Sequence, residues 1–222
     1  MTITILTLAI GADYRRSLAK ALKSKAEYAK RHGYTYIEAA EEWWDRHRPT
    51  AWSKVPFLIN TLSKLPEGAL LWLSDADVLI TNPEIRLEDH IVPLLPAEKD
   101  MLFIYDACHH LNSGNLLMRN TKWCRDYWRR VNERSDCTYH IWWENAAMIK
   151  EMDENEEDRK HIHVCKEHKK FNAYVMGCEG EPLWEPGDFL VHFAGVYQPE
   201  KMERLIRDIE NGKTPRLNMF NP

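Results

Sequence analysis

Residues 70–83 read LLWLSDADVLITNP. Leu70, Leu71, Trp72 and Leu73 form a run of large apolar side chains bounded by turn signals, the pattern of a buried strand. The run stops at two carboxylates, Asp75 and Asp77, with the small Ala76 between them, and Asn82-Pro83 supplies the turn that closes the segment. Acids held at the end of a core strand carry a desolvation cost unless a positive charge faces them. A hard divalent cation matches such oxygen ligands. A solvated strand end carries the same residues, so the choice rests on what the rest of the chain supplies.

The chain has 222 residues and a formal charge of −4, with apolar and charged fractions ordinary for a globular protein. That length predicts a single domain over 1–222. The charge leaves no basic footprint for nucleic acid, and no Lys/Arg block stands out. The opening MTITILTLAI lacks a basic flank and runs straight into Gly11-Ala12-Asp13, which reads as a first strand rather than a signal peptide. No window approaches the roughly 18 apolar residues of a membrane span. Cys108, Cys124, Cys137, Cys165 and Cys178 are odd in number and widely spaced, which predicts free thiols in a reducing compartment. Nine Trp residues are the compositional oddity; core packing is the expected fate of most of them, and Trp43, Trp44, Trp142 and Trp143 are candidates for a sugar-stacking platform.

Hydrophobic periodicity divides the chain into alternating strands and helices. Strands are predicted at 2–10, 34–38, 70–73, 101–105, 116–118 and, at a sheet edge, 161–165. Helices are predicted at 15–32, stopped by Gly33, and at 52–65, 122–133 and around Met202, Leu205, Ile206 and Ile209, the last docking on the sheet. The acidic run at 151–158 reads as a solvated loop, and His161, His163 and His168 as surface histidines. This alternation predicts an α/β fold whose ligands gather at the carboxyl ends of the strands, where Asp75 and Asp77 sit.

A second apolar run, Asp188-Phe-Leu-Val-His-Phe-Ala-Gly195, ends in His192 and Gly195. His192 completes an Asp, Asp, His set of oxygen and nitrogen ligands suited to Mn²⁺ or Mg²⁺, and Gly195 allows backbone to approach a phosphate closely.

In order along residues 2–197, the segments TLAIGADY, KSKAEYAKRHGY, AWSKVPFLINTL, LWLSDADVLITNP, LNSGNLLMRNTKW, WWENAAM and GDFLVHFAG resemble glycosyltransferase family 34, the galactomannan galactosyltransferase and xyloglucan xylosyltransferase group. The resemblance implies a GT-A (Rossmann-like) fold with a mixed, mostly parallel central sheet flanked by helices, with a nucleotide-binding part at 1–105, an acceptor-side part at 106–200 and a C-terminal helix and tail at 201–222. It also implies a metal-dependent transferase that moves a sugar from a nucleotide sugar, a UDP-sugar first, to a glycan acceptor with retention of configuration. On that resemblance Asp77 and His192 bind the metal directly, and Asp75 contacts the metal or the ribose. Lys54, with Arg48 as a second candidate, adds charge at the diphosphate. Thr7, Leu8 and Ala9 line the base and ribose, Tyr14 stacks on the base, and Ala76 and Gly195 complete the donor pocket. Asn112, Ser113 and Gly114 meet the donor sugar or the acceptor cleft, and Asp106 reaches an acceptor hydroxyl. Glu144 and Asn145 steady the oxocarbenium-like sugar, although relatives often carry Gln where this chain has the shorter Asn145.

Two alternatives come from other classes. A haloacid-dehalogenase-like phosphatase fits the string DADVL, with the first Asp as nucleophile, and a non-catalytic sugar-binding module fits the Trp pairs. The acceptor is expected to be an oligosaccharide or glycoprotein glycan, and the location cytoplasmic, in a bacterial or viral source. Nothing in the chain indicates an oligomeric state.

Overall fold

The computed structural model describes residues 3–218, so position 2 of the first predicted strand and positions 219–222 of the tail lie outside the described residues. The strands are β1 (Ile3–Leu8), β2 (Thr35–Ala39), β3 (Leu70–Ser74), β4 (Val78–Ile80), β5 (Met101–Tyr105), β6 (Leu111–Arg119), β7 (Ile162–Cys165) and β8 (Leu190–His192). The helices are α1 (Ala12–Ser17), α2 (Ala19–His32), α3 (Lys54–Lys64), α4 (Leu87–His90), α5 (Lys122–Glu133), α6 (Trp143–Glu154), α7 (Glu156–His161) and α8 (Pro199–Glu210).

Six strands form one sheet in the order β2-β1-β3-β6-β5-β7, and β4 pairs with β8 in a small second sheet. In the large sheet β1 runs parallel to β2 and β3, and β7 parallel to β5, while β6 is antiparallel to both its neighbours. The sheet is therefore mixed and mostly parallel. Leu70, Leu71, Trp72 and Leu73 are buried and divide between the cores on the two faces of the sheet, as alternation along a strand requires. Burial of each such side chain contributes ~1.5–3 kcal/mol.

The topology explains why distant segments meet at the end of β3. Ser74 pairs with Asn115, and the amide of Asp75 donates to the Gly114 carbonyl at 2.8 Å, so the start of β6 lies beside the end of β3. After Asp75-Ala76-Asp77 the chain leaves the large sheet, and Val78 pairs with His192. The predicted strand at 70–73 thus ends as expected, but the apolar residues beyond the two acids form a separate strand in a different sheet.

Several expected elements differ. The helix predicted at 15–32 is divided at Leu18; Ser17 Oγ donates back to the Tyr14 carbonyl at 2.8 Å, a bond that competes with regular helix geometry. Gly33 stops α2 in the left-handed conformation, φ 73°, as predicted. The strand predicted at 116–118 is longer, Leu111–Arg119, and includes Asn112, Ser113 and Gly114. The acidic run at 151–158 is helical, and its Glu151 and Asp158 are buried against Arg130 and Arg134. His168 is buried and bonds the Pro182 carbonyl at 2.8 Å. Helix α8 packs on α1 and the β8 region through Met202, Leu205 and Ile206, rather than on the large sheet. Cys108 and Cys178 form a disulfide, which corrects the expectation of five free thiols; Cys124, Cys137 and Cys165 are buried and free.

Candidate functional site

Asp75, Asp77 and His192 each offer a ligand atom, and those atoms lie within 4.8 Å of one another, a group able to hold a metal ion. His192 reaches the acids because β8 runs beside β4; the Phe193 amide donates to the Asp77 carbonyl at 3.0 Å. The imidazole is oriented by Asn172, whose Oδ1 lies 2.9 Å from His192 Nδ1. Asn172 Oδ1 also accepts from Asn115 Nδ2 at 3.0 Å, which assigns it as an acceptor and the Nδ1 position as the donor. Nε2 then faces Asp77 Oδ1 at 3.4 Å, the arrangement in which an outer partner orients the ring of a ligating histidine. Gly114 makes room for this ring. A Cβ there would stand 2.1 Å from His192 Cε1.

Burial raises the Asp77 carboxyl, but the charges of His192 and Lys25 and hydrogen bonds hold it below the usual carboxylate range. Lys25 is fully buried in α2 and donates to the backbone carbonyls of Asp75 and Ala76. Burial draws its amine down to about 7, against the opposing pull of Asp77 and Asp75.

A second charged group adjoins the first. Lys54 Nζ lies 2.9 Å from Asp75 Oδ1, 2.8 Å from Glu144 Oε1 and 3.1 Å from Ser113 Oγ. Burial would depress its amine, and Asp75 and Glu144 more than offset that, so its pKa stands above the ordinary lysine value. Ser113 donates to Glu144 Oε1 at 2.9 Å, whereas Glu144 Oε2 is buried without a hydrogen-bond partner. Asn145 Nδ2 donates to the Leu111 carbonyl at 2.9 Å, and its Oδ1 is likewise buried and unpartnered. Two buried acceptors left open side by side are costly in a folded protein.

A cavity of about 500 Å³, within the size range of small-molecule sites, opens over Lys54, Asp75, Asp77 and His192, while Ser113, Gly114, Glu144 and Asn145 lie outside its lining. Leu8, Tyr14, Lys54, Asp75, Ala76, Asp77, Asn112, His192 and Gly195 all line it. Thr7 and Ala9 do not: alternation along β1 turns them away, with the Thr7 hydroxyl on the Ser74 carbonyl. Burial, then Asp77 and Asp75, raise the Tyr14 phenol well above its ordinary value. Asp106 lies outside this cavity and shapes its own loop, Oδ1 accepting from the amides of Cys108 at 2.8 Å and His110 at 2.9 Å. Arg48 is committed elsewhere, to Asp45 at 2.6 Å and Asn132 at 2.9 Å. The four tryptophans do not form one platform: Trp43 packs on Phe57, Trp44 lies under Arg46, and only Trp143 lines the large cavity.

Two residues at the site were not singled out from the sequence. Lys25 had a visible signal, since it falls between Leu22 and Ala29 on the apolar stripe of its helix, where a lysine needs a buried partner. Asn172 follows a lysine-rich turn and no pattern marks it.

The model of the galactosyl transferase GMA12/MNN10 family matches residues 2–96. Two proteins of Schizosaccharomyces pombe, an uncharacterized α-1,2-galactosyltransferase and an α-1,2-galactosyltransferase, are 26% and 27% identical over 79% and 78% of this chain. The chain spans 55% of the length of each. A crystal structure of a glycosyltransferase involved in the glycosylation of the major capsid of PBCV-1 superposes with a TM-score of 0.73 at 15% identity, over 93% of this chain and 99% of that one. The fold is that of the GT-A glycosyltransferases, and the resemblance to family 34 is upheld. Both relatives are fungal, which sits against the expected bacterial or viral source. Among the described residues no helix is long and apolar enough to cross a membrane.

Proposed function

We propose that this chain, with its GT-A fold and its likeness to family 34, is a glycosyltransferase that moves a sugar from a UDP-sugar to a glycan hydroxyl, with Mn²⁺ or Mg²⁺ and with retention. The observation that carries the proposal is the convergence of Asp75, Asp77 and an oriented His192 at the floor of a nucleotide-sized cavity. Two carboxylates and one imidazole suit a hard or borderline divalent ion better than a thiolate-seeking one. Bound there, such an ion would supply Lewis-acid stabilisation of the charge that develops on a departing diphosphate.

The chain's own groups then divide the remaining work. Asn172 and Gly114 keep His192 Nε2 turned toward the acids. Lys54 holds Asp75 and Glu144 together and brings a fixed positive charge to the cavity that takes the diphosphate. Tyr14 and Leu8 line the wall for the base and ribose. Glu144 Oε2 and Asn145 Oδ1 do not line the cavity themselves but follow Trp143, which does, and these open acceptors are the candidates to face developing positive charge at the anomeric carbon or to accept from sugar hydroxyls. No carboxylate is needed as nucleophile: in a front-face reaction the leaving diphosphate takes the acceptor proton. Asp106 remains the candidate for contact with the acceptor.

Release of UDP from a panel of UDP-sugars, followed against Mn²⁺ concentration, tests the reading. Metal-dependent release that disappears in Asp77→Ala, with the fold intact, is expected; near-normal release by Asp77→Ala overturns it. The anomer of the product decides retention, and an inverted linkage would move the chemistry to a carboxylate base such as Asp106 or Glu144. Release of phosphate from simple monoesters is the outcome that would favour a phosphatase, which no observation here favours.

A further inference from the structure

Beside the large cavity lies a smaller pocket of about 280 Å³ that shares Asn112 and Ala194 with it. Its walls carry Asp106, His110, Trp142, Tyr174 and Met176, together with the Cys108–Cys178 disulfide. A half-exposed indole, flanked by a histidine ring with centroids 5.3 Å apart, and a carboxylate nearby match the two kinds of surface a sugar ring presents, an apolar face and a hydroxyl edge.

The back wall is formed by two segments 70 residues apart in sequence and fastened by three contacts between two consecutive residues on each. Gly177 packs against Ala107, where a Cβ would stand 2.6 Å from that of Ala107. The Cys178 amide donates to the Ala107 carbonyl at 2.8 Å, and the disulfide closes the contact one residue further on. The Asp106 loop is drawn tight beneath it, with His109 at φ 62°, a conformation that non-glycine residues seldom adopt. None of these fastenings touches Asp75, Asp77 or His192.

We propose that the Cys108–Cys178 disulfide is a positioning element for the acceptor: it holds the wall of a pocket that takes one glycosyl residue of the acceptor glycan against Trp142. This rests on the glycosyltransferase reading and adds the acceptor's location and a covalent dependence. Reduction by a water-soluble phosphine supplies the two electrons that break the S–S bond. The two sulfurs take up protons as thiols, and the phosphine becomes its oxide with oxygen from water. The loop then loses its covalent anchor, while the metal–nucleotide half of the site keeps its own supports.

The test compares oxidised protein, phosphine-reduced protein and Cys108→Ser/Cys178→Ser, with the bridge verified by mass before and after reduction. UDP binding in the presence of Mn²⁺ is measured calorimetrically. Binding of the methyl glycosides of galactose, mannose, glucose and xylose to the UDP–Mn²⁺ complex is measured by saturation-transfer NMR. The expected result is UDP affinity unchanged within about twofold, and binding of at least one glycoside weakened about tenfold or more (~1.4 kcal/mol) by reduction, by the double substitution and by Trp142→Ala. Equal glycoside binding with and without the bridge overturns the proposal. So does absence of the bridge from the purified protein, failure of all four glycosides to bind, indifference to Trp142→Ala, or a parallel loss of UDP binding that would make the bridge a general staple of the fold. If the oxidised protein does not bind UDP with Mn²⁺ at all, it is the glycosyltransferase reading itself that fails.

Discussion

Gly114 has no side chain because the His192 ring occupies the space a Cβ would need. Its place in an Asn-Ser-Gly string suggested contact with a sugar, but its position beside the imidazole makes it a spacer for a candidate metal ligand. Gly114→Ala is therefore expected to displace His192 and weaken Mn²⁺ binding by at least the ~10–100-fold typical of losing an outer partner of a ligand. Asn172→Ala should fall in the same range, and both are read by Mn²⁺ titration alongside a thermal melt that verifies folding. Lys25 gives a prediction of different form. Its amine titrates near 7 in the folded chain against 10.5 ordinarily, so between those values the unfolded chain binds a proton that the folded chain does not. Stability of the metal-free protein accordingly rises with pH across that window by ~1.4 kcal/mol per unit, and the full desolvation cost is felt below it. Lys25→Met removes the slope. The difference between wild-type and Lys25→Met unfolding free energies, measured in chelator from pH 6 to 10, should shift steadily toward wild type.

At the scale of elements, the parts legible in the sequence were those whose pattern is local. Helix 122–133 and strand 101–105 were predicted with the bounds observed, because apolar spacing alone defines them. Strand β6 was only partly read: its first residues carry turn chemistry, yet Leu111 and Asn112 pair with β5, and the ladder to β3 begins at Asn115. The acidic run at 151–158 was misread because its partners lie on another helix. Arg130 reaches Glu151 at 2.6 Å and Asp158 at 2.5 Å, and Arg134 reaches Glu151 at 3.1 Å, so α5, α6 and α7 are joined by one ion network. Asp158 is buried and also accepts from Trp123 Nε1 at 2.8 Å. Removing one partner of a buried pair is strongly destabilising, and the partial exposure of Arg130 moderates the effect here. Arg130→Ala is expected to cost about 1–3 kcal/mol in denaturant unfolding, with UDP binding unchanged, because the network stands apart from the site.

For the whole molecule, the candidate site was legible as residue types in order, but their relations were not. The chain order of Asp75, Asp77 and His192 says nothing of the β4–β8 pairing that joins them, and the 70-residue separation of Cys108 and Cys178 conceals a shared wall. The same relations predict how the protein responds to ligand. The two acids and His192 are held by Lys54, Lys25 and Asn172, three supports belonging to the chain itself. Chelation should therefore leave the far-ultraviolet circular dichroism unchanged. On the proposed function, Mn²⁺ and UDP would bind the folded state alone, so at a hundredfold excess over the dissociation constant they would add ~2.7 kcal/mol. With ~2–4 °C gained per kcal/mol in a chain of this size, Tm should rise by about 5–10 °C. The rise requires both ligands together, since the diphosphate and the acids meet through the ion. Asp77→Ala abolishes it, whereas Arg130→Ala lowers the starting Tm and keeps the increment. An equal rise with UDP in chelator would show that the nucleotide is held without Asp75, Asp77 and His192 acting as metal ligands.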